Sequence, residues 1–443
     1  MRIMARIKKI WKVLGLIVLI LFMIGVIGYT TVNYIANKEL KKEYQKIRDA
    51  GEPLTLRELY STRIPDKENA ALIYQKVFVL IDKNKEEINR ITSYIPSSKR
   101  IGDWSDEDEK VVSQLIQKNK AIFVLLEEAI QKPKCRFPIE YDKDTEGLLY
   151  CLTNMRQCAR LLSIKASLEA KNGDINEAVN TCITGLRLGE SLSQDSLIIS
   201  QMVMIAIETI MTYEIEDILT GIEIDATTYD DLYMGLKRAR EETINLVGER
   251  CFGISRFDYI LQYESEPILF DKEKKKTEGC HWSLYYTRLG NPWFKMSGAH
   301  YLKTMAKAIS ISNKPYWQIV NVLDEYEKGI PKYYPTKMMF PAIEAYFERE
   351  AYHDALIGAG EIAIELRLYK SRHGIYPGTL KELALNTTRE LPLDPFTGQS
   401  YIYRKEKEGF IVYSVGANLK DDGGEDERHG GLYEIDIVWR CEI

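Results

Sequence analysis

The chain has 443 residues, 45% hydrophobic and 28% charged, enough apolar material for two or three cores and too much for disorder. Lys and Arg total 60 against 65 Asp and Glu, a formal net charge of −5. With no positive excess to neutralise phosphates, nucleic acid is excluded as an expected partner. The seven cysteines (Cys135, Cys151, Cys158, Cys182, Cys251, Cys280 and Cys441) include no CxxC pair, and no two of the five histidines have HExxH spacing. That excludes a zinc signature and a dense disulfide framework, and no GxSxG, Walker-type or GxGxxG motif names a reaction.

Val13 to Val32 is an uncharged run rich in Leu, Ile, Val, Met and Phe. At about 1.5 Å per residue it reaches roughly 30 Å, one hydrocarbon core. The tail before it carries Arg2, Arg6, Lys8, Lys9 and Lys12 and no acid. The positive-inside rule therefore predicts a cytoplasmic N-terminus and an extracytoplasmic bulk, which in a bacterium would mean the inner membrane and the periplasm. The flank Gly28-Tyr29-Thr30-Thr31-Val32 offers no small-x-small site, so the run reads as a retained anchor rather than a cleaved signal peptide.

Beyond the span, Lys38 to Ala50 continues as a charged helix that Gly51-Glu52-Pro53 stops, and Thr55 to Tyr60 is a short helical stretch. A helix begins near Asn69-Ala70-Ala71. Another starts at Ser105, which can cap it, with Asp106 to Glu109 at the positive end of its dipole. Leu148 to Lys171 and Ile175 to Leu192 are strong helices joined by Asn172-Gly173-Asp174, a turn so short that they must lie antiparallel. Glu177 is placed as a capping-box partner of Asp174. Small residues at Ala166, Ala170 and Ala178 give this pair the look of a tetratricopeptide-type hairpin. Ser196 to Leu219 and Ala226 to Leu246 add two more helices.

Asp271 to Glu278 reads as a solvated charge run. His281 to Phe294 carries Trp282, Tyr285, Tyr286, Trp293 and Phe294, either a packed crossing or an aromatic platform for carbohydrate or peptide. Ala355 to Arg372 is an amphipathic helix, and His353 with Glu350, Asp354 and Glu361, which could be read as a metal or acid–base cluster, is expected on a charged surface face of it because no third ligand stands at a definable spacing. Glu208, Glu214, Glu216 and Asp217 interrupt an apolar helix with no partner cation in view. Cys151 and Cys158 share a helix face opposite Cys182, so a disulfide is open in an oxidising compartment, buried free thiols being the alternative. After a helical turn at Leu380 to Leu383, β-patterned runs follow at Ser400 to Arg404, Gly409 to Ser414 and Tyr433 to Trp439.

The order Gly374-Ile375-Tyr376-Pro377, Leu391-Pro392-Leu393-Asp394-Pro395, Tyr413-Ser414-Val415-Gly416-Ala417, Gly423-Gly424 and Asp436-Ile437-Val438-Trp439 resembles the globular head of the major pseudopilin of type II secretion systems. In that family the head sits directly on a membrane helix with a glutamate just inside it. Here the glutamate is absent and the head follows a long helical body, so the resemblance implies a borrowed head rather than a polymerising pilin. It also implies calcium at the loop between the last two strands, carried over to Asn418, Asp421, Asp422 and Asp436. The density of acids from Asp421 to Glu427 independently suits a hard cation. The chain as a whole, including Gly51-Glu52-Pro53 and Asn69-Ala70-Ala71, resembles large envelope proteins of planctomycete-like bacteria, a likeness that implies no activity.

The expected fold is mainly α, with one transmembrane helix, a helical-hairpin layer that is tetratricopeptide-like in part, and a small C-terminal α+β antiparallel-sheet subdomain. The expected divisions are 1–12 tail, 13–32 anchor, 33–135 membrane-proximal helices, 136–250 helical hairpins, 251–344 helices and loops, and 345–443 head. The expected role is that of a membrane-anchored interaction or scaffold protein with envelope protein partners. The rival is an envelope hydrolase or polysaccharide-handling enzyme using the aromatic segment.

Overall fold

A computed structural model describes residues 2–94, 101–141, 145–220, 222–242, 245–262, 290–329, 336–407, 409–425 and 435–441. The chain forms two units: Met1–Leu59 with Arg250–Ile309 and Tyr326–Pro341, and Tyr60–Glu249 with Ser310–Glu325 and Ala342–Ile443.

In the first unit, α1 (Arg2–Asp49) is one unbroken helix, and its membrane-length apolar window has no buried residue. Its two threonine hydroxyls are satisfied internally: Thr30 Oγ1 donates to the Val26 carbonyl (2.9 Å) and Thr31 Oγ1 to that of Ile27 (2.8 Å). Past the span the pattern changes to a helical stripe, and Ala36, Leu40, Glu43 and Ile47 are buried. The stripe meets α11 (Val247–Gln262) and α12 (Asn291–Ile311). A Cβ at Gly298 would lie 3.3 Å from Leu40 and 3.6 Å from Phe257. Lys295 donates to Asn33 (3.1 Å), Tyr44 to Asp258 (2.9 Å), and Lys303 pairs with Glu39 (3.4 Å). Arg250, almost fully buried, pairs with Glu52.

The short α2 (Leu56–Leu59) ends the first segment of the first unit, and the second unit begins at Tyr60. Its helices include α3 (Ala71–Lys83), α4 (Lys85–Tyr94), α5 (Asp106–Lys118), α6 (Lys120–Ala129), α7 (Thr145–Lys171), α8 (Ile175–Glu190), α9 (Ile198–Leu219) and α10 (Ala226–Arg240). Ser105 and Asp108 close a reciprocal capping box at α5. The α7–α8 turn forms at the expected place, with Gly173 at φ +85°. Asp174, however, makes no side-chain cap. Its N–H bonds to the Glu169 carbonyl and that of Gly173 to Ala170, so Asp174 is committed to closing α7 and cannot take the geometry that caps α8.

Helix α9 is long and apolar enough to span a bilayer, but 61% of its apolar window is buried inside the protein. It crosses α8 closely: a Cβ at Gly185 would lie 2.1 Å from Met211 Sδ, and one at Gly189 2.6 Å from Glu208 Cγ.

The C-terminal region adds α13 (Tyr316–Gly329), α14 (Thr336–His373), α15 (Leu380–Asn386), β1 (Ile402–Lys405), β2 (Phe410–Ser414) and β3 (Ile437–Cys441). The strands form an antiparallel sheet in the order β1-β2-β3, with Ile402 opposite Tyr413 and Val412 opposite Trp439. Of the strand expected at Tyr433 to Trp439, Tyr433 and Glu434 lie outside the described residues; β3 begins at Ile437, because Asp436 is used as an acceptor by the preceding loop. Gly360 lets Trp439 approach α14, where a Cβ would lie 2.6 Å from the indole, and Tyr401 donates to the Ala355 carbonyl (3.0 Å).

The expected charged surface face at Glu350, His353, Asp354 and Glu361 is not what forms. His353 is 3% exposed and Glu361 0%, and residues 355–369 are all buried. The sheet covers one side of α14 while α9 and α10 cover others, so its charges face partners. Arg240 binds Glu361 (2.6 Å), Arg389 bridges Glu365 (2.6 Å) and Asp230 (2.7 Å), and Arg367 donates to the Ile222 carbonyl (3.2 Å) and to that of Leu219 at the end of α9. The six described cysteines are buried, and no disulfide joins any two of them.

Candidate functional site

Two places concentrate ionisable groups. The first is the head loop, where the structure does bring Asn418, Asp421, Asp422 and Asp436 into one bonded set. Asp436, 3% exposed, accepts from the N–H of Gly424 (2.7 Å) and of Asp422 (3.3 Å). Asp421 accepts from Tyr413 Oη (2.9 Å) and the Gly423 N–H (2.9 Å), and Asn418 Nδ2 donates to Asp422 (2.8 Å). Gly424 sits at φ +76°, where a Cβ would also meet Ile411 at 2.5 Å. Burial raises the Asp436 carboxyl above its ordinary range, against the pull of its two N–H donors. Among the described residues no group of three or more His, Cys, Asp or Glu is disposed to hold a metal ion. Asp426 and Glu427 lie outside the described residues, as do Asp271 to Glu278 and Trp282, Tyr285 and Tyr286 of the aromatic segment. Trp293 is half exposed on α12, and Phe294 packs on Phe257 at 5.5 Å.

The second place was not legible as a site. Where α8 ends, the turn Ser191 to Gln194 leaves a cleft against α10, with recesses of about 550 Å³ and about 270 Å³ that share Ser193, Gln194 and Arg238. Ser193 and Glu242 connect the larger recess to an inner one of about 20 Å³, the size of a single water, lined also by Gln201, Tyr346, Glu350, His353 and Asp354.

Behind it lies a buried ion pair. His353 Nε2 is 2.7 Å from Glu208 Oε2, and Nδ1 is 3.6 Å from Asp354 Oδ1. Neither Glu208 oxygen nor His353 Nε2 has an aligned hydrogen bond, so the contact is Coulombic. Gly189 is what leaves room for the Glu208 side chain. Burial opposes the imidazolium, but the carboxylates of Asp354 and Glu208 beside it outweigh burial and push His353 up to about 10. Burial also raises Glu208 against the opposing pull of His353. Burial and the neighbouring Glu208 charge push Glu242 up to about 8, and burial with Asp354 raises Glu350 further. At neutral pH the floor thus carries a charged histidine and at least one protonated carboxyl facing the cleft. Tyr346 Oη donates to Gln201 Oε1 (2.6 Å), fixing α14 to α9 beside it.

A third buried acid, Glu214, is fully satisfied by Ser163 (2.6 Å) and Ser167 (2.5 Å) and lines none of these recesses. Two separate signals pointed to the cleft floor: the cluster of Glu350, His353 and Asp354, expected on a surface, and the interruption of an apolar helix by Glu208. Its partner lies 145 residues away.

No family model, no curated protein and no solved structure matches the chain. What its fold defines is a mainly α-helical protein with one apolar N-terminal helix long enough to cross a membrane and a small C-terminal antiparallel sheet.

Proposed function

We propose that this protein is a membrane-tethered, extracytoplasmic binding or scaffold protein of the envelope, whose helical body and sheet-bearing head are offered to partners near the bilayer. One observation carries the reading: α1 passes without a break from an entirely exposed apolar span into a stripe packed on α11 and α12. Such an anchor holds its unit stiffly at the membrane instead of trailing it on a linker. The basic tail supports the orientation. Because the described cysteines are buried and Cys280, outside the described residues, can be replaced by serine, a single new thiol in a Cys280→Ser background is a clean reporter of it. A Ser371→Cys variant is expected to react with a membrane-impermeant maleimide in intact spheroplasts, and labelling only after lysis would overturn the orientation. Carbonate extraction is expected to leave the chain in the membrane fraction.

A second reading, acid catalysis, rests on Glu242, a carboxyl kept protonated to about 8 at the edge of an open recess. It moves the enzyme alternative from the aromatic segment to the cleft. Turnover of an envelope polysaccharide or peptide that Glu242→Gln abolishes would establish it.

A further inference from the structure

We propose that the 270 Å³ recess of the cleft is a binding site for a small organic anion, held through its carboxylate or phosphate by Arg187 and Lys132. The recess lies between the Ile130–Cys135 turn and the end of α8, and four cations line it: Lys132, Lys134, Arg187 and Arg238. A single acid, Glu190, lines it with them, and it already pairs with Arg238 (3.5 Å). Lys134 is drawn to Glu68 (3.3 Å). Arg187 and Lys132 pair with no carboxylate among the described residues, and Arg187 Nε is buried with no acceptor.

A half-buried guanidinium donor without a partner is costly, and nothing in the fold compensates it. The walls cannot turn to do so. Ser191 Oγ is engaged with Tyr74 Oη (2.8 Å) and the Arg187 carbonyl (3.1 Å), and Gln194 Nε2 with the Pro133 carbonyl (3.0 Å). The recess is therefore lined by two cationic side chains that no described carboxylate engages, between walls already committed to other bonds. The planar fork of Arg187 matches two oxygens of a carboxylate or phosphate, and Lys132 adds a point charge. The adjoining 550 Å³ recess, walled by Met234 and the Lys237–Glu241 pair, leaves room for the uncharged part of the molecule.

The test uses the full chain in detergent, titrated with sodium phosphate in one arm and sodium succinate in another, against sodium chloride of equal ionic strength. A saturable rise in melting temperature beyond the chloride control is expected in at least one arm, and the arm that responds identifies the anionic group. Arg187→Met is expected to weaken that response about tenfold or more, and Lys132→Gln about threefold. Without added anion, Arg187→Met is expected to melt no lower than the parent, because it removes an uncompensated donor. Lys381→Gln, on the exposed face of α15 and lining none of the recesses, leaves binding unchanged. Should Arg187→Met fail to fold, the Lys132→Gln and Lys381→Gln contrast decides. Equal shifts with chloride and both anions, or an equal response in parent and Lys132→Gln, would overturn the site.

Discussion

The carboxylates of the head loop and those beneath the cleft are both close-set, yet they are held in opposite ways. Asp421 and Asp436 each accept two hydrogen bonds, Asp436 from backbone N–H groups alone, and Asp422 accepts one from Asn418. Glu208 is wholly buried with neither oxygen in an aligned hydrogen bond, and it is compensated by the charge of His353 alone. Backbone donors travel with the loop that needs them. A Coulombic partner from another helix ties stability to the tertiary fold and to pH.

The contrast makes its largest claim at Glu208. Glu208→Ala leaves a buried imidazolium unpaired and is expected to cost about 3–5 kcal/mol in chemical denaturation, whereas Glu208→Leu combined with His353→Leu costs less than the single change. Asp436→Ala strips two N–H groups of their acceptor and is expected to cost about 1–3 kcal/mol. Equal losses at the two positions would erase the distinction.

The pH profile sharpens it. Glu242 holds its proton to about 8 in the fold but releases it near 4.5 when unfolded, so the folded state binds more protons between these values and stability falls as pH rises through them. The His353 contribution is complete below 6.5 and is lost as pH climbs toward about 10. Melting temperature is therefore expected to be higher at pH 6 than at pH 9, and Glu242→Gln to flatten the lower part of that slope. The exposed Glu58, Asp225 and Glu382, held below their ordinary values by hydrogen bonds, act in the other direction and lose their contribution in acid. The smallest effect is expected at the head loop. Because Asp421, Asp422 and Asp436 already have protein donors, adding millimolar calcium or a chelator is expected to move the melting temperature by less than about 1 °C, which for a chain of this size corresponds to under about 1 kcal/mol.

Much of the architecture was legible because its causes are local. The span, the Ser105 cap, the Gly173 turn and the three strands each follow from residues within a few positions of one another. The borders moved where a distant demand competed: Asp436 serves the loop before β3 can begin, and Asp174 closes α7 instead of capping α8. Of the two candidate sites, the sequence located the loop residues and missed the cleft. Lys132, Arg187, Glu242 and His353 come from four separate segments, and no spacing rule connects them.

By itself the sequence determined the membrane-length helix, the helical body and the antiparallel head, since periodicity, breakers and charge asymmetry act along the chain. Only the tertiary structure decided that the charges of α14 turn inward. A stripe of Glu, His and Asp looks the same whether water or Arg240, Glu208 and a covering sheet lies opposite. The choice between them belongs to the packing.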